Sequence, residues 1–185
     1  MAKSKVIETK RLLIKPFSKN YLTKKYISWL NNPKVVRFSE QRHKTHTLQS
    51  CQKYLNSFKN SPHYFWAIIV KTPPEKHIGN LVARVDKFNK TADLSILIGD
   101  TTVWGKGYGT EAWRAVVNFL FNKLKFRKIT AGTLAVNKPM LKVMEKSGMI
   151  NDGQRAKQFL WEGQEIDGIH KAIFKKLISE NKKNG

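Results

Sequence analysis

Acidic residues are scarce. Asp plus Glu number 13 against 35 Lys plus Arg, so the 185-residue chain carries a formal charge of +22. Such a field turns the surface toward anions: nucleic acid, anionic lipid or phosphorylated small molecules. Arginine is scarce too, seven of the 35 cations, which weakens bidentate phosphate recognition relative to a lysine-rich solvated surface. The single cysteine, Cys51, excludes an intrachain disulfide and a multi-cysteine zinc site. None of the five histidines has metal-ligand spacing, so no metal is expected. No apolar run approaches the roughly 20 residues of a membrane span. Met1 to Arg11 has no apolar signal core, so the expected location is the cytoplasm.

What is present is enough for a core. Apolar residues make up 41% and aromatic residues 11%, which excludes wholesale disorder. The length suits one domain, expected over residues 1–178, with a basic frayed tail at 179–185 that ends the run from Lys175-Lys176 to Lys182-Lys183. Arg11 to Lys15 reads as a strand ended by Pro16. Ser18 is placed to cap a helix to Leu30 that is stopped by Asn31-Asn32-Pro33, and Thr47 to cap a second helix with Leu48, Cys51, Tyr54, Leu55 and Phe58 on one face. The period then changes. Tyr64 to Val70 is a continuous apolar run and hence a buried strand; Ile78 to Val85 and Leu94 to Ile98 follow as an antiparallel meander. A helix from Gly107, a strand over Arg127–Val136, a helix over Asn137–Ser147 stopped by Gly148, and strands Met149–Trp161 and Ile166–Lys175 complete the chain. The order β α α β β β α β α β β gives an α+β fold (α/β with a mixed sheet), with about four helices.

The chemistry is concentrated in Trp104-Gly105-Lys106-Gly107-Tyr108-Gly109-Thr110-Glu111-Ala112, between a strand and a helix. Alternate glycines allow a tight turn and close approach of a ligand; amides at the helix start converge where the macrodipole favours an anion, and Lys106 adds a mobile cation. No Gly-Lys-Ser/Thr closes it, and Gly-x-Gly-x-Gly is too tight for the dinucleotide fingerprint. A plain strand-to-helix turn remains the alternative.

The loop resembles the acetyl-coenzyme A pyrophosphate loop of GNAT N-acetyltransferases, in the branch of the RimJ/RimL ribosomal-protein alanine N-acetyltransferases and related amino-sugar N-acetyltransferases. Other pieces lie in the same order. Glu8-Thr9-Lys10-Arg11-Leu12 resembles the opening strand, and Trp29-Leu30-Asn31-Asn32-Pro33 the branch's Trp-x-Asn-Asp-Pro turn. Ile78-Gly79 resembles the third strand, Asp93 to Gly99 the strand before the loop, and Asn137-Lys138-Pro139-Met140 through Ser147-Gly148-Met149 the second cofactor motif. The resemblance implies a GNAT fold whose mostly antiparallel sheet is splayed between strands four and five. It implies acetyl-coenzyme A as cosubstrate, its diphosphate on the loop Trp104, Gly105, Lys106, Gly107, Tyr108, Gly109 and Thr110. Its pantetheine would pair with main chain at Ile96, Leu97, Ile98 and Gly99, with Asn137 beside it.

The acid/base half departs from the family. Where the RimL type offers a Ser the chain has Met140; where many GNATs place a Tyr acid it has Met144; where the RimL type has a carboxylate proposed as base it has Phe159. The substrate amine is then either already neutral or deprotonated from elsewhere. Asp93 and His46 are the candidates, by reach and by histidine's ordinary pKa near 6.5; each has a bland alternative as turn or cap residue. Glu40 and Arg42, in the Ser39–Thr47 stretch that resembles the substrate-side loop of the amino-sugar branch, are placed to hold a substrate's polar groups or to sit in solvent. Phe159 and Trp161 are placed to line a sugar or peptide pocket or to pack. His63 and His77 read as surface residues; His170 is placed to orient Asp167 or to pack.

The expected reaction is direct attack of a primary amine on the thioester, the amine belonging to a small molecule such as an amino sugar, free or nucleotide-linked. A protein N-terminal amine, such as that of a ribosomal protein, is the second acceptor: an α-amino pKa near 7.7–8 leaves much of it neutral without a base. From another class comes a GNAT-like module without catalysis, held to RNA or ribosome by charge. The chain is expected to be a monomer or homodimer.

Overall fold

The computed structural model describes residues 5–175. Thirteen regular elements occur in chain order: β1 Ile7–Glu8, β2 Leu12–Pro16, α1 Lys24–Leu30, α2 Pro33–Val36, α3 Leu48–Asn56, β3 Tyr64–Val70, β4 Lys76–Asp86, β5 Thr91–Ile98, α4 Tyr108–Asn122, β6 Lys128–Leu134, α5 Lys138–Lys146, β7 Ile150–Trp161 and β8 Gln164–Phe174. Residues 176–185, which include the expected tail, lie outside the described residues.

The strands form one sheet in the order β1-β2-β3-β4-β5-β6-β8-β7. Every neighbouring pair is antiparallel except β5 and β6, which run parallel. This is the mixed sheet expected, with one short strand and one short helix more than the sequence indicated. The additional helix corrects the count of about four to five. Pro33 ends α1 but also begins α2, because a proline without an N–H costs nothing at the first helical position. The Asn32 side chain caps α2 by accepting from Lys34 N–H at 3.0 Å. The start expected at Ser18 is also corrected: Ser18 makes no side-chain cap, a 3-10 turn covers Lys19–Tyr21, and Thr23 caps α1 by accepting from Tyr26 N–H at 3.1 Å.

Strand alternation divides the core. On one face, Leu12, Ile14, Trp66, Ile68, Leu81, Leu94, Ile129 and Ile173 pack under α4 and α5 with Trp113, Leu120, Phe121 and Met144. On the other, Phe65, Ala67, Ile69 and Val82 pack under α1 and α3 with Tyr26, Trp29, Leu30 and Cys51. Cys51 is therefore a core residue, and burial pushes its thiol pKa up. His77, expected at the surface, is enclosed by Phe17, Tyr21, Tyr26 and Trp29 with its Nε2 2.9 Å from Gly79 O. His63 is likewise part-buried, its Nδ1 accepting from Val85 N–H at 3.1 Å.

Candidate functional site: a helix start, a parted sheet and a polar face

The expected loop leaves β5 through a turn at Thr101–Val103, capped by Asp100, whose Oδ1 accepts from Thr102 N–H at 3.1 Å. Asp100 is buried and pairs with Lys76 at 2.8 Å and Lys25 at 3.1 Å. Burial alone would raise its carboxyl pKa, but the bonds from Lys76, Thr102 and Lys25 outweigh that and hold it well below the usual carboxylate range. Gly105 and Gly107 adopt φ +76° and +80°, where a side chain would be strained. Gly107 is the N-cap of the 15-residue α4 and brings no capping side chain. The first-turn N–H groups of α4 therefore lack the side-chain acceptor that a Ser or Asp would supply.

A clamp from the start of the chain fixes this turn. Arg11 Nε meets Glu111 at 2.6 Å, its Nη1 donates to Lys106 O at 3.0 Å, and its guanidinium lies 4.3 Å over the Tyr108 ring. Thr9 Oγ1 donates to the same Glu111 at 2.6 Å. A basic cleft of about 830 Å³ lies beside it, with Lys5, Arg11, Arg114, Lys146, Gly107 and Thr110 on its wall.

β5 and β6 pair only at Thr91, Ala92 and Asp93, opposite Lys128, Ile129 and Thr130; past Asp93 they part. Gly99 N–H donates to Ile78 O at 2.9 Å, which makes the facing pair Gly79–Ile98 a non-hydrogen-bonded one. The N–H and C=O of Ile98, and of Ile96 two residues back, therefore point away from β4 and into the gap. Leu97 and Gly99 do not share this orientation: Leu97 faces Asn80 in the pair that bonds to β4, and the Gly99 N–H is spent on Ile78 O. Trp104 Nε1 donates to Ile98 O at 2.9 Å, so the first loop residue already meets the strand edge.

At the closed end of the gap, on the α1/α3 face, sits Asp93. Its Oδ2 accepts from Thr130 Oγ1 at 2.8 Å, and Arg84 is its register partner on β4. Protein packed around the carboxyl pushes its pKa up; the Thr130 bond and the nearby His170 and Arg84 charges pull the other way without cancelling it. Arg84 in turn lies close to Tyr54 of α3. His170 does not orient Asp167, whose carboxylate is engaged by Gln154 and Lys157 N–H. Its ring lies over Gly132, on the face that carries Asp93.

The other expected residues collect elsewhere on the same side. Glu40 and Arg42 pair with each other at 2.7 Å, and Arg42 Nη2 donates to Leu160 O at 3.2 Å. Arg42 lines a cleft of about 470 Å³ with Arg37, Lys44, Asn31 and Trp161. The indole of Trp161 stacks on Phe38 at 5.6 Å and lies under the Arg37 guanidinium at 4.8 Å. The Phe159 ring edge reaches the space a Gly168 side chain would fill. Asn31 clips His46 by its main chain, accepting from its N–H at 2.8 Å and donating to its C=O at 2.8 Å. The imidazole Nε2 of His46 is buried without a hydrogen-bond partner among the described residues. Asn137 caps α5, accepting from Met140 N–H at 3.3 Å while donating to Thr133 at 2.8 Å. Met144 is fully buried and Met140 packs at the core edge.

Sequence reasoning missed Arg84, Thr130, Gly132 and the placing of His170. Their grouping depends on pairing between strands far apart in sequence, and strand alternation gives only the face of each.

Residues 11–150 match the acetyltransferase (GNAT) domain family. The curated Bacillus subtilis protein named "Probable N-acetyltransferase YjcK" is 36% identical over 111 residues, 51% of this chain and 61% of that protein, so the match spans under two thirds of its length. The ribosomal-protein-S5-alanine acetyltransferase of Vibrio fischeri superimposes with a TM-score of 0.79 at 16% identity, covering 92% of this chain and 97% of that one. The spermidine N-acetyltransferase of Vibrio cholerae, solved with CoA and spermine, gives 0.80 at 15% identity, covering 91% and 98%. With its mixed sheet parted beside the uncapped helix start, the chain belongs to the GNAT acetyltransferase domain family.

Proposed function

We propose that this protein is an N-acetyltransferase moving an acetyl group from acetyl-coenzyme A to a primary amine of a small molecule, by direct attack. The observation that carries the reading is the continuity of two half-sites. The uncapped first turn of α4 offers N–H groups to an anion, and the β5 edge at Ile96 and at the Ile98 N–H, beside the Trp104 bond to Ile98 O, leads from it to Asp93. Helix-start amides suit a diphosphate, and a free strand edge suits the amide-bearing pantetheine arm. Asn137 would act through its place at the start of α5, since both ends of its side chain are already engaged. The thioester then arrives near Asp93, whose carboxylate draws the ammonium form of an acceptor.

The acceptor we favour is an amino sugar, including one carried on a nucleotide. The Arg37, Arg42, Lys44 and Trp161 cleft sets polar groups beside an aromatic shelf, which suits a sugar, and Lys44 is its cation without a carboxylate partner among the described residues, since Arg37 pairs with Glu162 and Arg42 with Glu40. The same charge weighs against a polyamine or the basic tail of a ribosomal protein as acceptor. The catalytic domain is proposed over residues 1–178.

The test is calorimetric titration with acetyl-coenzyme A, beside Gly107→Asp, followed by acetylation of amino sugars, nucleotide-linked amino sugars, spermidine and N-terminal peptides. Micromolar binding lost in the variant, with turnover of an amino sugar, supports the reading. Turnover of peptides alone moves the acceptor to protein N-termini. Absence of acetyl-coenzyme A binding together with salt-dependent RNA binding would replace the enzyme by a nucleic-acid module.

A further inference from the structure

The sheet face at the end of the gap holds more than one titratable group. β5, β6 and β8 are neighbours, and their alternation aligns Asp93, Thr130 with Gly132, and His170 on one surface. Gly132 and Ser95 are exposed, so this surface is open to solvent where β5 and β6 diverge, with the Asp93 carboxyl turned in against Thr130 at its edge. A Cβ at Gly132 would stand 3.0 Å from His170 Cε1 and 3.1 Å from its Nδ1. The ring therefore lies across β6 toward β5, and only the missing side chain of Gly132 lets it do so. His170 and Asp93 sense each other's charge, yet no direct hydrogen bond joins them among the described residues; Asp93 is tied to Thr130 instead.

We propose that His170 is a catalytic base of this protein, taking the proton of an acceptor ammonium group that Asp93 holds in the space between them. The inference rests on the acetyltransferase reading and assigns to β8 the base that the family's usual positions lack here, where Met144 and Phe159 stand. The balance of the step is as follows in chemical terms. The ammonium nitrogen gives one proton to the His170 ring, and its lone pair bonds the thioester carbon. The carbon–sulfur bond breaks, and the departing thiolate takes the second proton from the nitrogen. Products are the N-acetyl amine, the coenzyme thiol and an imidazolium that returns its proton to water.

Other charged groups lie on the neighbouring strands. Arg84 of β4, close to Tyr54, is the register partner of Asp93. Arg155 of β7 lies near Gly168, two residues from His170. Lys128 of β6, two residues from Thr130, pairs with Asp152 at 2.7 Å. The His170 charge acts on Asp93, so removing Asp93 should be visible at His170.

Two measurements test this on the full chain. The first follows the His170 Cε1–H signal by NMR against pH with saturating acetyl-coenzyme A, His170→Gln giving the assignment. Asp93→Asn should move the titration midpoint down by about half a unit or more, on the scale of one nearby charge; an unmoved midpoint overturns the pairing. The second is the pH–rate profile with whichever amine the wild type acetylates. His170→Gln should lower kcat about 100-fold, within the usual span for a general base, leave KM for acetyl-coenzyme A unchanged and flatten the fall of rate on the acidic side. Gly132→Ala, which adds no chemistry but displaces the ring, should lower kcat about tenfold in the same manner. Turnover of His170→Gln within twofold of wild type overturns the assignment even when acetyl-coenzyme A binds normally. Failure of the wild type to bind acetyl-coenzyme A would instead remove the reading beneath it.

Discussion

His77 sits in an aromatic enclosure that has no room for a positive charge. Burial pushes its pKa down to about 4, the Gly79 carbonyl opposing this and the Lys25 charge adding to it. The depressed value fixes the sign: the folded state binds the His77 proton less readily than the unfolded chain. Its contribution is complete above about pH 6.5 and is lost as pH falls toward 4, amounting to about 2–3 kcal/mol across that window. Urea unfolding at pH 7 and pH 4.5 should show the loss, and His77→Phe should remove most of the difference. Glu111 works differently. Burial alone would raise its carboxyl, but bonds from Thr9 and Arg11 outweigh it and lower the pKa. Glu111→Ala leaves Thr9, Arg11 and the Arg11 N–H without their shared acceptor. The expected cost is about 2 kcal/mol in urea unfolding, the scale of hydrogen bonds to a charged group, with weaker acetyl-coenzyme A binding because the turn at Lys106 loses its anchor.

At the scale of elements, capping residues decided where helices begin. Thr47 and Ser50 form a reciprocal capping box at α3, so the helix start was visible in the chain as a Thr before an apolar periodic run. Thr47→Ala should cost about 1 kcal/mol by denaturant titration, with the m-value unchanged. Ser18 offered the same local signal and failed, because Thr23 supplied a competing cap five residues on and the segment between them took a 3-10 turn. Nothing within the segment distinguishes the two; the packing of Tyr26, Trp29 and Leu30 onto the sheet does. α4 is the reverse case. Its start at Gly107 was legible because three alternate glycines before an amphipathic stretch have few other uses.

At the scale of the whole molecule, the charge of +22 acts on everything at once. Like charges on a compact surface repel one another, and salt shortens that repulsion. Between 0.01 and 0.1 M salt the screening length falls from about 30 to about 10 Å. The melting temperature should therefore rise over that range, while the association rate with acetyl-coenzyme A, itself an anion, should fall and its dissociation rate change little. Stopped-flow binding and thermal scans at the two salt levels check both. A melting temperature insensitive to salt would mean that the cations are spaced widely enough to ignore one another.

The sequence by itself determined the order of the elements other than β1 and α2, the mixed character of the sheet and the place of the glycine turn that starts α4. Each depends on short-range causes: hydrophobic period, capping side chains, and glycines at positive φ. It also named Asp93, one of two groups singled out as a base, but not what surrounds it. Only the tertiary structure decided that β5 and β6 pair for three residues and then part, and that His170, 77 positions beyond Asp93, lies across Gly132 toward it. The reason is physical. Register between distant strands is set by the sum of packing over both sheet faces, and no local segment carries that sum.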